Sequence, residues 1–288
     1  MTTNPDSAPK LALLGCGNMA TAIVVGAIRS GRFGPGDFIA MVPSEASRER
    51  LGGLGIPAVS QASELKPALD GGARLMMAVK PQIVEEASKA LPQVSDPIGV
   101  INIAAGWSNA DLAEVLQCSL GKRPRVVRTM PNTPSMVGEG MTAIAPAPDA
   151  SAEDIALTES LFRSVGEIER IEEPMIDPFT AVAGSGPAYI FRFTELMARA
   201  GERLGLSPTL AARLARQTAV GAGALMADSD LPPEKLCQNV TSKGGMTAEA
   251  LRVFEENGLD EIVSQAAEAC AARGAVLARE AADRRQQR

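Results

Sequence analysis

Apolar positions follow two regimes along this chain. Through the first half, short unbroken apolar runs alternate with stretches where apolar residues recur every three or four positions. Leu11-Ala12-Leu13-Leu14 is the first run, and behind it Ile23, Val24, Ala27 and Ile28 fall on one helix face. Residues 38–42, 75–79, 98–103 and 125–128 read as further buried strands, and 141–145 as an outer one. A helix near 152–165 then leads to a last strand at 167–171. Apolar runs without alternation, joined by helical crossovers, predict a mainly parallel sheet with both faces covered.

The second half reads almost entirely as helix from Ile176 onward. Phe193, Leu196, Met197, Ala200 and Leu204 share one face. Ser207-Pro208 supplies an N-cap and a proline at the first helical position, and Leu210 and Leu214 follow on one side. Gly221 and Gly223 then stand inside a helix, where each costs about 1 kcal/mol relative to alanine. They imply that another helix approaches closely, within the chain or across a dimer. The change of regime near Glu172-Glu173-Pro174 divides the chain into 1–172 and 173–288.

The first apolar run stops at Gly15-Cys16-Gly17-Asn18-Met19-Ala20. Gly15 allows a tight turn, Gly17 keeps side-chain atoms away from a pyrophosphate, and small Ala20 lets the helix pack close to the strand. Free N–H groups and a partial positive charge at the helix start suit phosphate. Together these features predict a dinucleotide site. Other strand ends carry Pro43-Ser44, Val79-Lys80-Pro81, Ala104-Ala105-Gly106 and Pro131-Asn132, where such a ligand would lie. Ser44, with Arg48 and Arg50 nearby, suits the 2′-phosphate of NADPH, while Glu45 keeps NADH open. Arg48 and Arg50 serve equally as a solvated helix face. Lys80 would bring a cation near the cofactor, or end a strand as a surface lysine.

Composition narrows the chemistry. The 288 residues carry a net charge of −6 and no histidine. Ser-His-Asp hydrolysis, His-ligated metal and His-based dehydrogenase chemistry are therefore excluded. No basic tract favours nucleic acid, no run of about 18 apolar residues would span a membrane, and the first ten residues lack an apolar leader. A cytoplasmic location is the expectation. The isolated cysteines Cys16, Cys118, Cys237 and Cys270 argue against structural disulfides or zinc.

Two segments of the helical half carry chemistry. Gly184-Ser185-Gly186-Pro187-Ala188-Tyr189 ends one helical pattern and starts the next. Thr241-Ser242-Lys243-Gly244-Gly245-Met246-Thr247 precedes a helix over 248–256 that Asn257-Gly258 ends. Thr247 reads as its N-cap, with Glu249 in the first turn. Glycines, hydroxyls and a helix N-terminus together predict a site for a small carboxylate, bound by backbone N–H groups, Ser242 and Thr247.

With these blocks in place the chain resembles the pyrroline-5-carboxylate reductase family. The match rests on Gly15–Met19, Ala78-Val79-Lys80-Pro81-Gln82, Ala104-Ala105-Gly106, Met130-Pro131-Asn132-Thr133-Pro134, Gly184–Tyr189 and Thr241-Ser242-x-Gly244-Gly245-x-Thr247, in family order over nearly the whole chain. The resemblance implies an α/β Rossmann-like domain with a mainly parallel sheet, then an all-α dimerisation domain that forms homodimers or rings of dimers. It implies NADPH, with NADH as the alternative, held by Gly15, Cys16, Gly17, Asn18, Met19, Ala20, Ser44, Val79, Lys80, Ala105 and Asn239. It implies that Ser242, Gly244, Gly245, Met246 and Thr247 hold a small imino acid, which a hydride converts to L-proline. Two positions depart from the family: Lys243 stands where proline is usual, and Met246 where threonine or alanine is usual. Thr247 is the catalytic candidate, either holding the acid or passing a proton. A β-hydroxyacid dehydrogenase-like oxidoreductase, or a dinucleotide-responsive binding protein without turnover, are the alternatives.

Overall fold

The computed structural model describes residues 8–286. Eight strands form one sheet: β1 (Leu11–Leu14), β2 (Phe38–Met41), β3 (Ala58–Val59), β4 (Arg74–Met77), β5 (Gly99–Asn102), β6 (Arg125–Met130), β7 (Gly140–Pro146) and β8 (Gly166–Arg170). Their spatial order is β3-β2-β1-β4-β5-β6-β7-β8. All neighbours are parallel except β6 and β7. The helices between strands are α1 (Asn18–Arg29), α2 (Glu45–Gly52), α3 (Lys66–Asp70), α4 (Val84–Lys89), α5 (Asn109–Leu120) and α6 (Ala152–Arg163). After β8 come α7 (Ile176–Phe179), α8 (Gly186–Arg203), α9 (Pro208–Ala227), α10 (Pro233–Asn239), α11 (Met246–Glu256) and α12 (Leu259–Gln286).

Strand β1 explains why the opening run shows no polar alternation. Leu11 and Leu13 pack with Ile23 of α1, Leu51 of α2 and Phe162 of α6. Ala12 and Leu14 face the other way, into a cluster with Leu69, Val84, Leu112 and Leu116 from α3, α4 and α5. A strand covered on both faces has no polar side to show.

The expected strands form, with two differences. The segment over 140–146 is not the outer strand: β8 pairs with it in parallel and takes the edge. After β6, a 3₁₀ turn over Thr133–Val137 ends at Gly138, whose φ of +86° reverses the chain and makes β7 antiparallel. At the opposite edge, β3 was not apparent in the pattern because it has only two residues.

A buried ion cluster ties α6 to the start of the sheet. Asp154 accepts from Arg74 Nε at 2.8 Å and Arg125 Nε at 2.7 Å, and its side chain is 2% exposed. Burial opposes its charge. The hydrogen bonds from Arg125, Ser151 and Arg74 prevail and hold its carboxyl at a pKa of about 2. Gly99 sits against this carboxylate, where a Cβ would collide with Asp154 Oδ1.

The chain divides into two compact units, Met1–Gly184 with Ala271–Arg288, and Ser185–Cys270. In the second, α8 packs on α9 across a close contact where Gly201 faces Ala211, and Phe193 meets Phe254 with ring centroids 6.1 Å apart. This unit buries little of its apolar surface: Ile190, Phe191, Leu204, Val220 and Leu225 are all more than half exposed. The helix face predicted from Phe193, Leu196 and Met197 exists, but among the described residues its outward side stays exposed. Nothing lies within 4 Å of the positions that Cβ atoms would take at Gly221 and Gly223. Among the described residues, nothing in this chain thus makes the close approach that the two glycines suggested. Among the described residues, no helix is long and apolar enough to cross a membrane.

Candidate functional site

The dinucleotide motif lies where the chain order of the sheet reverses. β1 has β2 on one side and β4 on the other, and ligands of open parallel sheets bind outside the strand ends at such a point. Gly15 closes the turn with a φ of +86°, and its N–H donates to Met41 O at 3.0 Å. A Cβ there would stand 2.7 Å from Val79 Cγ1 and 3.1 Å from Ala78 O, so only glycine fits between β1 and the β4 exit. Gly17 differs. It is the N-cap of α1 with ordinary φ of −75°, no side chain caps this helix, and nothing lies within 4 Å of where its Cβ would be. The first turn of α1 holds no acidic residue. A helix of 12 residues thus opens its unpaired N–H groups onto clear space, which fits a diphosphate. Asn18 is exposed, Met19 half-buried, and Ala20 buried against the sheet.

The flanking groups assemble around that turn. Cys16 is buried, which pushes its thiol pKa up, and its Sγ lies 3.5 Å from Thr21 Oγ1. Arg50 reaches from α2 to donate to Cys16 O at 3.2 Å and Thr21 Oγ1 at 3.0 Å. Arg48 donates to Val42 O at 3.0 Å and Pro43 O at 2.7 Å. Neither arginine is simply solvated: together they clamp α2 to the glycine turn and to the β2 exit. Ser44 is exposed and caps α2, its Oγ accepting from Ser47 N at 3.3 Å. Lys80 is exposed, without an ion pair among the described residues, and precedes a 3₁₀ turn over Pro81–Ile83. Val79 and Ala105 lie at the β4 and β5 exits, Val79 half-buried and Ala105 exposed.

Sequence reasoning missed the residues that shape the β5 exit. Asn102 is fully buried, accepting from Ala104 N at 2.9 Å and donating to Trp107 O at 3.0 Å. Trp107 Nε1 in turn donates to Pro81 O at 3.0 Å. The loops after β4 and β5 are so tied into one ledge. A lone asparagine in an otherwise apolar strand was the available signal, because a buried amide needs partners.

The glycine-rich loop over 241–247 lies in the second unit. The structure corrects one expectation: Gly245, not Thr247, is the N-cap, and α11 begins at Met246. Glu249 N donates to Gly245 O, which sets the first helical turn one step earlier than the hydroxyl suggested. Gly244 has a φ of +72°, and a Cβ on Gly245 would collide with the Ser242 hydroxyl beneath it. Glycine is required at both positions. No side chain caps α11, so Met246, Thr247 and Ala248 present N–H groups without an intrahelical partner. Ser242 and Thr247 are exposed residues, and their hydroxyls take no hydrogen bond among the described residues. The arrangement can bind a carboxylate by N–H groups, hydroxyls and the helix dipole together. Asn239 ends α10 two residues before this loop and is exposed. In the same unit Ser185 Oγ meets Cys270 Sγ at 3.2 Å, and burial together with Cys270 raises the Tyr189 pKa.

Comparison with known proteins agrees with both halves of this geometry. Residues 173–277 match the family model described as pyrroline-5-carboxylate reductase dimerisation. Residues 10–106 match the one described as NADP oxidoreductase coenzyme F420-dependent. The pyrroline-5-carboxylate reductase of Escherichia coli K12 is 37% identical over 266 residues, covering 91% of this chain and 95% of the relative. That of Pseudomonas aeruginosa is 35% identical over 275 residues, covering 94% and 98%. Among solved structures, a pyrroline-5-carboxylate reductase from Coxiella burnetii superposes with a TM-score of 0.84 at 32% identity, covering 94% of this chain and 99% of the other. A pyrroline carboxylate reductase from Plasmodium falciparum with NADP bound gives 0.77 at 28%, covering 94% and 98%. The matches run through both the glycine turn and the glycine-rich loop over 241–247, and this chain belongs to the pyrroline-5-carboxylate reductase family.

Proposed function

We propose that this protein is an oxidoreductase that reduces the cyclic imine of 1-pyrroline-5-carboxylate to L-proline, the last step of proline biosynthesis. One observation carries the reading: an uncapped helix N-terminus behind a two-glycine loop, with the Ser242 and Thr247 hydroxyls unengaged among the described residues. That is a receptor for a small acid, in a chain that also holds a diphosphate turn.

Bound NADPH supplies the hydride. Gly15, Cys16, Gly17, Asn18, Met19 and Ala20 would hold its diphosphate. Ser44, Arg48 and Arg50 favour the 2′-phosphate, so NADPH is preferred and NADH is the weaker donor. Val79, Lys80 and Ala105, at the β4 and β5 exits, would complete the cofactor contacts of this unit, and Asn239 is the candidate that the second unit offers. Ser242, Gly244, Gly245, Met246 and Thr247 hold the substrate carboxylate.

With no histidine in the chain, proton transfer needs another route. A protonated imine carries its own proton, and its carbon takes the hydride directly. Thr247 orients the ring and relays a proton from water when the imine binds neutral. The protein's work is positioning, which can contribute roughly 7–11 kcal/mol to such a step.

The exposed apolar faces of α8 and α9 support a homodimer, and rings of dimers extend that reading. A cytoplasmic location goes with it, since Cys16, Cys118, Cys237 and Cys270 are free thiols. The test is to follow oxidation of each reduced cofactor with five- and six-membered cyclic imino acids. Turnover of the five-membered acid, faster with NADPH, is expected. Turnover with neither acid refutes the reading.

A further inference from the structure

We propose that the side chain of Met246 sets ring-size selectivity, favouring five-membered over six-membered cyclic imino acids. The inference rests on the acid-binding reading of the α11 loop. Met246 is 93% exposed, the most exposed large apolar residue among those described, so the packing of the chain does not account for it. It is the first helical residue after the Gly245 N-cap. Side chains on a helix lean toward its N-terminus. At the first helical position this places the Met246 side chain at the same end of α11 as the N–H groups without an intrahelical partner.

The rest of the loop offers the ring nothing apolar. From Thr241 to Thr247, Met246 is the only large apolar side chain, among hydroxyls, glycines and Lys243. Lys243 is exposed and makes no ion pair among the described residues. Within this loop polar groups thus face the acid, and one unbranched, deformable side chain is what the loop can offer the ring. With the carboxylate anchored, each added ring methylene must displace that chain. A methylene in such a contact changes selectivity by about tenfold or more.

The experiment measures kcat and KM for both ring sizes at saturating reduced cofactor, in the full-length wild type, Met246→Ala and Met246→Leu. Because Met246 is exposed, neither change disturbs the core. For Met246→Ala, the six-to-five ratio of kcat/KM should rise about tenfold, mainly through KM of the larger acid. Met246→Leu, which keeps the volume, should stay within about twofold of wild type. An unchanged ratio in Met246→Ala, with the wild type active on the five-membered acid, overturns the inference alone. A Leu variant that shifts as far as the Ala variant also overturns it. A wild type inactive on both acids refutes the parent reading and this inference together.

Discussion

Two alanine substitutions, two residues apart, separate the structural role of the glycine turn from its ligand role. In Gly15→Ala the new residue must adopt a φ of +86°, which costs an L-residue roughly 1–2 kcal/mol. Its Cβ would also stand 2.7 Å from Val79 Cγ1, about 1 Å inside the usual carbon–carbon contact. Val79 could turn aside, but Ala78 O and Val79 N, both at 3.1 Å, are backbone and cannot. Overpacking of this kind adds roughly 1–3 kcal/mol, so the total loss is about 2–5 kcal/mol. Gly17→Ala meets neither cost, since its φ is −75° and nothing lies within 4 Å of the new atom. The added methyl instead fills the space assigned to the diphosphate. Thermal melting without cofactor and fluorescence titration with reduced dinucleotide read the two effects. Gly15→Ala should lower Tm and weaken cofactor binding. Gly17→Ala should keep the wild-type Tm and weaken binding at least about tenfold, the effect of losing one or two charge-assisted hydrogen bonds. Wild-type affinity in Gly17→Ala, or wild-type Tm in Gly15→Ala, refutes the reasoning.

Three further outcomes are expected. Asp154→Asn should destabilise the protein by about 3 kcal/mol at pH 7, because Arg74 and Arg125 lose their shared carboxylate. Since the Asp154 pKa falls from 3.8 to about 2 on folding, its ionisation contributes about 2 kcal/mol above pH 4 and loses it as the pH falls toward 2. Urea unfolding should therefore show the wild-type advantage shrinking over that range, and a pH-independent gap contradicts the assignment. Thr247→Ala should leave Tm unchanged, because the hydroxyl has no partner among the described residues. It should lower kcat/KM about tenfold to a hundredfold in steady-state assays, the loss of one hydrogen bond to a charged group. Arg50→Gln should raise KM for NADPH several-fold more than KM for NADH, and equal changes would remove Arg50 from cofactor choice.

The parts legible in the sequence are those whose cause is local. The β1–turn–α1 unit shows both an apolar run and a glycine spacing, and each is needed where it stands. The cap at Ser207 and the stop at Asn257-Gly258 follow from residues adjacent to them. Thr247 misled because hydroxyls are preferred N-caps, whereas this loop tucks the Ser242 hydroxyl under Gly245 and starts the helix earlier. The Arg50 tie to Cys16 O spans 34 positions, and the Asn102–Trp107–Pro81 chain links two loops. No periodicity reports such long-range polar contacts. Gly221 and Gly223 announced a close approach, but the pattern could not show that the space beside both is open among the described residues.

The most direct measurement follows the absorbance of NADPH on adding 1-pyrroline-5-carboxylate to the purified full chain, with proline quantified at the end. The account predicts one proline formed for each NADPH consumed, and loss of that turnover in Gly17→Ala. NADPH that binds without being consumed, or consumption without proline, contradicts it.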